Sequence, residues 1–236
     1  MAFSSNEMYT TEAYLSRNPT WDDEGAAWKA GIILDLLKKN NIKRDTIVEV
    51  GCGAGGILSR LAELEPSVTS LVGYDISPFA IKLAEQKAND RINFYEADFI
   101  NMDTPGGDVL LVIDVIEHID DYYGFMNKLK GRAEHVVFHI PLDLSCRNIL
   151  KPHTLLLQRD LVGHLHYFTK EMVQWMLKET GFTIVDWLYT KPTIDTGMPQ
   201  SLKAIIKKNL RSLSFRINPD LSARLWGGYS MMVLAK

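Results

Sequence analysis

The chain has 236 residues, 46% hydrophobic and 23% charged, with a net charge of -3. That is ordinary globular material, with apolar content for one α/β domain spanning 1–236, and it excludes a whole-molecule field able to gather nucleic acid. Two cysteines exclude a disulfide framework, no basic leader opens the chain, and no run approaches the roughly 18 apolar residues of a spanning helix, so the sequence points to the cytoplasm.

Residues 1–24 are polar with interspersed Tyr9, Tyr14 and Trp21 and read as an irregular arm holding a short helix. From Ala26 to Asn40 the apolar residues Ala27, Trp28, Ile32, Ile33, Leu36 and Leu37 recur at helical spacing, and Lys38-Lys39 suits a helix C-terminus. Strand and helix patterns then alternate: Thr46–Val50 strand, Ile57–Glu63 helix, Ser70–Tyr74 strand, Pro78–Asn89 helix, Ile92–Tyr95 strand. Val109–Ile113 and Val136–Ile140 are further buried strands around a helix at Asp120–Leu129. A long irregular stretch from Pro141 to Tyr167 follows, then a helix Lys170–Thr180, a strand Thr183–Leu188 and a last strand Tyr229–Leu234. Such alternation predicts a three-layer α/β/α sandwich on a seven-stranded, mostly parallel sheet.

Between the last two strands, residues 191–228 form an insertion. It carries Lys203, Lys207, Lys208, Arg211, Arg216 and Arg224, interleaved with Leu202, Ile205, Ile206, Leu210 and Leu213, against the single acid Asp220 after Thr196. The pattern reads first as a solvated basic face on a packed helix, and second as a lid or a contact at 203–224 for an anionic partner or membrane surface.

The chemistry concentrates in Glu49-Val50-Gly51-Cys52-Gly53-Ala54-Gly55-Gly56, where a buried strand runs into glycines that let a ligand approach the backbone at a helix N-terminus. Gly51, Gly53 and Gly56 satisfy the dinucleotide pattern G-x-G-x-x-G, whereas Gly51, Gly53 and Gly55 satisfy the G-x-G-x-G of S-adenosylmethionine (SAM) enzymes. Asp75 ends the second strand, where an acid accepts from ribose hydroxyls and fits either cofactor. Ala97-Asp98-Phe99 follows the third strand, where a carboxylate suits an adenine amine and a phenyl ring walls its face; that pairing favours SAM.

The order of these motifs, completed by Ile113-Asp114-Val115-Ile116-Glu117-His118-Ile119 after strand four, resembles class I SAM-dependent methyltransferases over residues 26–190 and 229–236. The resemblance implies an antiparallel C-terminal strand, SAM as cofactor and S-adenosylhomocysteine (SAH) as product. Residue by residue it assigns Glu49 to the amino group of the methionine portion, the Gly51 and Gly53 backbone to the amino-acid end and ribose, Gly55 to the same cofactor loop, Asp75 to the ribose, Asp98 to the adenine amine, and Ile76 and Phe99 to the ring faces. Asp114 and Val115 offer backbone carbonyls to the ammonium. Apart from the resemblance, Tyr9, Tyr14, Trp21 and Trp28 are aromatics that can close over a sulfonium from the N-terminal side, Tyr14 foremost and Trp28, on the apolar stripe, last. More narrowly, Asn18-Pro19-Thr20-Trp21, Trp28-Lys29-Ala30 and His164-Leu165-His166-Tyr167-Phe168-Thr169 resemble a bacterial subgroup associated with polysaccharide and other surface-glycan gene clusters.

Methyl transfer is an in-line displacement that asks mainly for placement, with a base of near-neutral pKa helping an oxygen nucleophile. His118 after strand four and His139 at the end of strand five are the candidate bases, and His164, His166 and Tyr167 the candidate substrate contacts. No ligand set at metal spacing accompanies them, so no metal is expected. The absence of Asn-Pro-Pro-Tyr or Asp-Pro-Pro-Tyr after strand four disfavours DNA bases and leaves a small hydroxylated or saccharide acceptor. An NAD(P)-dependent oxidoreductase and a catalytically silent SAM-fold partner subunit are the competing readings.

Overall fold

The computed structural model describes residues 5–21, 23–151, 153–196 and 201–236. Residues 1–4, which open the chain without the basic residues of a leader, and 197–200 of the insertion lie outside the described residues. In chain order the elements are α1 (Ser5–Thr10), α2 (Glu12–Arg17), α3 (Ala26–Lys39), β1 (Thr46–Val50), α4 (Gly56–Leu64), β2 (Ser70–Asp75), α5 (Pro78–Ala84), β3 (Ile92–Glu96), β4 (Val109–Ile113), α6 (Tyr122–Leu129) and β5 (His135–Pro141). They continue with α7 (Cys146–Ile149), α8 (His153–Val162), α9 (Lys170–Glu179), β6 (Ile184–Thr190), α10 (Pro192–Asp195), α11 (Leu202–Ile217), α12 (Pro219–Trp226) and β7 (Ser230–Ala235).

The seven strands form one sheet in the order β3-β2-β1-β4-β5-β7-β6. Strands β1 to β5 pair in parallel, and β7 runs antiparallel between β5 and β6, as the resemblance implies. Because the central strands are covered on both faces, they read as unbroken apolar runs; β4 is buried at all five positions. Its side chains divide with period two. Val109, Leu111 and Ile113 join the core under α3, α4 and α5, while Leu110 and Val112 join the core under α6 and α9. The strand order reverses between β1 and β4, and a crevice opens there at the carboxyl ends of the strands.

Side-chain caps fix where the crossover helices begin. Ser77 caps α5 ahead of Pro78, Asp121 caps α6 through the Gly124 amide, and Thr169 caps α9 through Met172. The expected helix from Asp120 therefore starts at Tyr122, and the one expected to reach Asn89 stops at Ala84, giving way to a 3-10 turn at Glu85–Lys87.

Two expectations need correction. The arm is helical, forming α1, α2 and a 3-10 turn at Asp23–Gly25, and the stretch 141–167 contains α7 and α8. Neither carried a readable apolar stripe because α8 buries no residue, leaving Leu156, Leu157 and Leu161 half exposed or more. Instead α8 is tied to the arm by polar contacts, Arg17 donating to the Asp160 carbonyl and Asn18 to the Leu161 carbonyl at 3.3 Å.

Glu65, just after α4, fastens that layer to its neighbours, accepting from Ser67 at 2.6 Å, Lys38 at 2.9 Å and Arg44 at 3.0 Å. The Ser67 hydroxyl first, then the two cations, pull its carboxyl down to about 2. A depressed carboxyl stabilises the fold above its unfolded value near 4.5 and loses that contribution as pH falls toward 2. Glu65→Gln is expected to lower the denaturation midpoint at pH 7 and to flatten the acid limb between about pH 4.5 and 2; identical limbs for both proteins would remove Glu65 from this role.

Candidate active site

The glycine loop leaves β1 with the Gly51 and Cys52 amides both donating to the Tyr74 carbonyl, at 2.8 and 3.1 Å, which pins it against the end of β2. Gly51, Gly53 and Gly55 all have positive φ, and Gly55 begins α4 without a side-chain cap. Space matters as much as conformation. A Cβ added at Gly51 would lie 2.6 Å from Val115 Cγ2, and one at Gly53 would lie 2.7 Å from Trp21 Cδ1.

Three acids approach the loop, each in a different state. Asp75 accepts from the Gly53 amide at 2.9 Å and the Ser77 amide at 2.8 Å. Burial raises its carboxyl against those amides, which lower it. Glu49 is 1% exposed, its Oε2 has no hydrogen-bond partner, and burial raises its pKa well above the usual carboxylate range while Lys29 works the other way. Asp98 stands exposed at the cavity wall and accepts from Asn101 Nδ2 at 2.6 Å. Ile76 lines the same wall. Phe99 borders the cavity but is only 1% exposed, with Tyr74 at 5.3 Å and the Arg132 guanidinium 5.1 Å from its ring centroid. It backs the wall from inside the core instead of offering an open face.

The arm supplies an aromatic roof. Tyr9, Tyr14 and Trp21 follow one another at centroid distances of 5.0 and 4.7 Å, and all three line the cavity. Trp28 lines the same cavity, so all four aromatics expected at the cofactor side, Tyr9, Tyr14, Trp21 and Trp28, border it.

At the end of β4, Asp114 takes φ +53, a strained conformation for a residue with a Cβ. Its carboxylate meets Lys29 at 2.8 Å and His139 Nδ1 at 2.6 Å. Burial opposes its ionisation, but His139 and Lys29 overcome that and hold the carboxyl far below the usual range. His139 is 2% exposed, with Nδ1 on Asp114 and Nε2 on the Thr190 hydroxyl at 2.8 Å. With both ring nitrogens engaged it is not a free base; the expectation for His139 is corrected to a positioning residue behind Asp114. Lys29, a single cation on an amphipathic helix, gave no sequence signal for this role.

His118 faces the cavity, Nδ1 lying 2.8 Å from Tyr9 Oη and 3.2 Å from the Gly163 carbonyl. A carbonyl only accepts, so Nδ1 carries the proton and Nε2 presents its lone pair. Burial first, then His164, pull its pKa down to about 4, leaving the ring a weak base. His164 Nδ1 donates to Asp143 Oδ2 at 2.9 Å, which likewise leaves Nε2 free for the cavity. Glu117 sits beside both rings, 0% exposed, with neither carboxylate oxygen hydrogen-bonded. Its own backbone carbonyl accepts from the Leu165 and His166 amides, at 2.8 and 3.1 Å, and so holds the His164 segment against it. The other two expected substrate contacts fall away from the cavity. His166 donates to the Ile119 carbonyl at 3.0 Å, and the Tyr167 hydroxyl donates to the Leu155 carbonyl at 2.7 Å.

These residues enclose one cavity of about 930 Å³, within the range of small-molecule sites. The profile of a family described as "Methyltransferase domain" matches residues 23–186. The chain is 29% identical over 164 residues to a protein of Methanocaldococcus jannaschii provisionally described as a protein N5-glutamine methyltransferase, a match covering 63% of this chain and 77% of that one. It is 28% identical over 167 residues to the mitochondrial ubiquinone biosynthesis O-methyltransferase of Schizosaccharomyces pombe, covering 63% of this chain and 59% of its relative. Among solved structures, magnesium protoporphyrin IX methyltransferase of Synechocystis with bound SAM superposes over 99% of this chain and 97% of its own at TM-score 0.61 and 13% identity. An N-methyltransferase of Bradyrhizobium japonicum with SAH does so over 99% and 97% at TM-score 0.58 and 18% identity.

His139→Ala would strip Thr190 and one Asp114 oxygen of their partner and is expected to cost about 2–4 kcal/mol of stability by chemical denaturation. Turnover lost at unchanged stability would instead return His139 to the reacting groups.

Proposed function

The chain belongs to the methyltransferase-domain family, and from that premise we propose that it transfers the methyl group of SAM to an oxygen of a small hydroxylated or saccharide acceptor. The same glycines read as a dinucleotide site lose their support in the family match, which also removes the ground for a silent subunit.

The observation that carries the cofactor is the pair of buried acids around the loop. Glu49 keeps an orphaned oxygen inside the crevice, a partner for the ammonium of an amino acid, and Asp75 retains lone pairs for ribose hydroxyls beyond those taken by the Gly53 and Ser77 amides. The glycines leave the backbone open to approach, and Tyr14 and Trp21 offer aromatic faces that favour a sulfonium. When bound, SAM supplies an electrophilic methyl carbon. The chain's own part is placement. Asp114, fixed by Lys29 and His139, sets the mouth of β4, while Glu49 and Asp75 hold the two ends of the adenosyl-methionine in register so that the acceptor meets the methyl in line. Asp98 takes the adenine amine, with Ile76 against the ring.

Two features favour an acceptor presented at a membrane face, as a lipid-linked glycan precursor would be. Pro192 and Thr196 line the cavity, so the insertion 191–228 departs from its rim and can act as a lid. Helix α11 then turns Leu202, Ile206, Leu213 and Ile217 outward at 52–77% exposure. Around that stripe lie Lys203, Lys207, Arg147 of α7 and Lys151 just past it, close enough that Arg147 first and then its neighbours lower the Lys207 pKa. An outward apolar stripe ringed by cations, with no acid between Thr196 and Asp220, matches an anionic lipid surface. No helix among the described residues is long and apolar enough to cross a membrane. Free cysteines at buried Cys52 and exposed Cys146 suit the cytoplasmic side.

SAH at 100 times its dissociation constant should stabilise the protein by about 2.7 kcal/mol, with no comparable shift from NAD or NADP; the reverse pattern would overturn the reading. Asp75→Ala should cost about 1.5–3 kcal/mol of SAH affinity, and unchanged affinity would remove Asp75 from the site. For the surface, cosedimentation with phosphatidylserine-containing vesicles should exceed that with neutral vesicles and fall in Lys203→Glu/Lys207→Glu; equal binding to both vesicle types would discard the membrane face.

A further inference from the structure

Beyond the cofactor end of the cavity, one ligand atom from each of Glu117, His118 and His164 lies within 4.8 Å of the other two. No spacing rule joins them in sequence, since Glu117-His118 and His164 are far apart in the chain, and the expectation was of no metal. The fold does join them, through the two amide donations from Leu165 and His166 to the Glu117 carbonyl.

We propose that Glu117, His118 and His164 bind one divalent first-row cation, which holds the acceptor oxygen against the methyl group. Three independent features support the assignment. Both imidazoles are fixed in the tautomer that presents Nε2: His118 through Nδ1 toward the Gly163 carbonyl, and His164 through Nδ1 on Asp143 Oδ2. The second is the carboxylate–histidine arrangement that orients and strengthens metal-bound imidazole. Glu117 is 0% exposed with both oxygens unpartnered, a state that costs several kcal/mol if the group is charged and nothing answers it. Finally, all three side chains face the cavity, so an ion there keeps positions open, as a catalytic site does and a closed structural site does not.

Two nitrogens and one carboxylate suit manganese, iron, cobalt or zinc better than magnesium or calcium, which prefer all-oxygen shells. Donors about 2.1 Å from a common ion sit about 3–3.5 Å apart, so the rings draw together by about 1 Å on binding. The inference rests on the methyltransferase reading for its reaction and adds what that reading lacks. With His139 engaged on both nitrogens and the Nε2 atoms of His118 and His164 turned to the ion, no imidazole of the cavity is left to take the proton of an acceptor hydroxyl, and a bound cation lowers that hydroxyl's pKa directly. In the step, the acceptor O–H breaks and its proton passes to solvent water. The oxygen pair forms the bond to the methyl carbon as the S–CH3 bond breaks, leaving that pair on sulfur as a neutral thioether.

The test uses untagged full-length protein stripped with chelator and titrated with Co2+ alone, followed by the visible absorption of the ion and by thermal unfolding. One equivalent is expected to bind with a d–d band and a raised unfolding temperature. Glu117→Gln and His164→Ala should each weaken binding at least tenfold, and Asp143→Asn by about 10–100-fold. SAH binding, measured on the same samples, serves as the control for folding. Wild-type protein that binds SAH but not Co2+, or Co2+ binding unchanged in Glu117→Gln and His164→Ala variants that still bind SAH, would overturn the metal site and leave the methyltransferase standing. Co2+ bound through these residues without any SAH affinity would uphold the metal site while removing the reading it serves.

Discussion

Taking carboxylates out of water is the constraint around which this site is organised. Glu49, Asp75, Asp114 and Glu117 all converge on the carboxyl edge of the sheet, and a buried charge without an answer is among the costliest things a fold can hold. Asp114 is answered by Lys29 and His139, and Asp75 by two backbone amides. Glu49 and Glu117 are not fully answered by protein at all. Both acids with unpartnered oxygens line one cavity, Glu49 at the end of β1 beside the glycine loop and Glu117 beside His118 and His164, and the proposed ammonium and metal ion would each answer one of them.

This division explains which residues hold the frame and which meet ligand. His139 and Thr190 spend their polar atoms on Asp114, so the strained backbone at the end of β4 stays where the cofactor needs it. His118 and His164 each spend one nitrogen on the scaffold and keep the other, which is the difference between a supporting imidazole and a working one.

What could be read from the chain beforehand follows the same physics. Buried parallel strands such as Val109–Ile113 declare themselves because every side chain is apolar, and the glycine loop because only glycine tolerates both its φ values and the nearness of Val115 and Trp21. The arm and α8 were illegible because polar contacts, not an apolar stripe, tie them together. Glu117 stood in plain view beside His118, yet its importance depends on the missing hydrogen bonds around it, and an absence of partners leaves no trace in a sequence. His166 and Tyr167 misled for the converse reason: their polar atoms are taken by backbone carbonyls, of Ile119 and Leu155, and a residue type does not reveal whether its polar atom serves the scaffold or a ligand.

The aromatic roof has one more consequence, concerning biosynthesis. Tyr9 reaches His118 across 109 residues and the Val162 carbonyl across 153. A ribosome delivers the roof first and the supports of Tyr9 much later, so the growing chain can seat Trp21 on the glycine loop early but leaves Tyr9 without its partners until α8 has emerged. Through most of translation the crevice is uncovered, and a product truncated before residue 162 would keep the glycine loop and Asp75 but never acquire a closed chamber. Closure of the cavity thereby waits for a support 153 residues downstream of Tyr9.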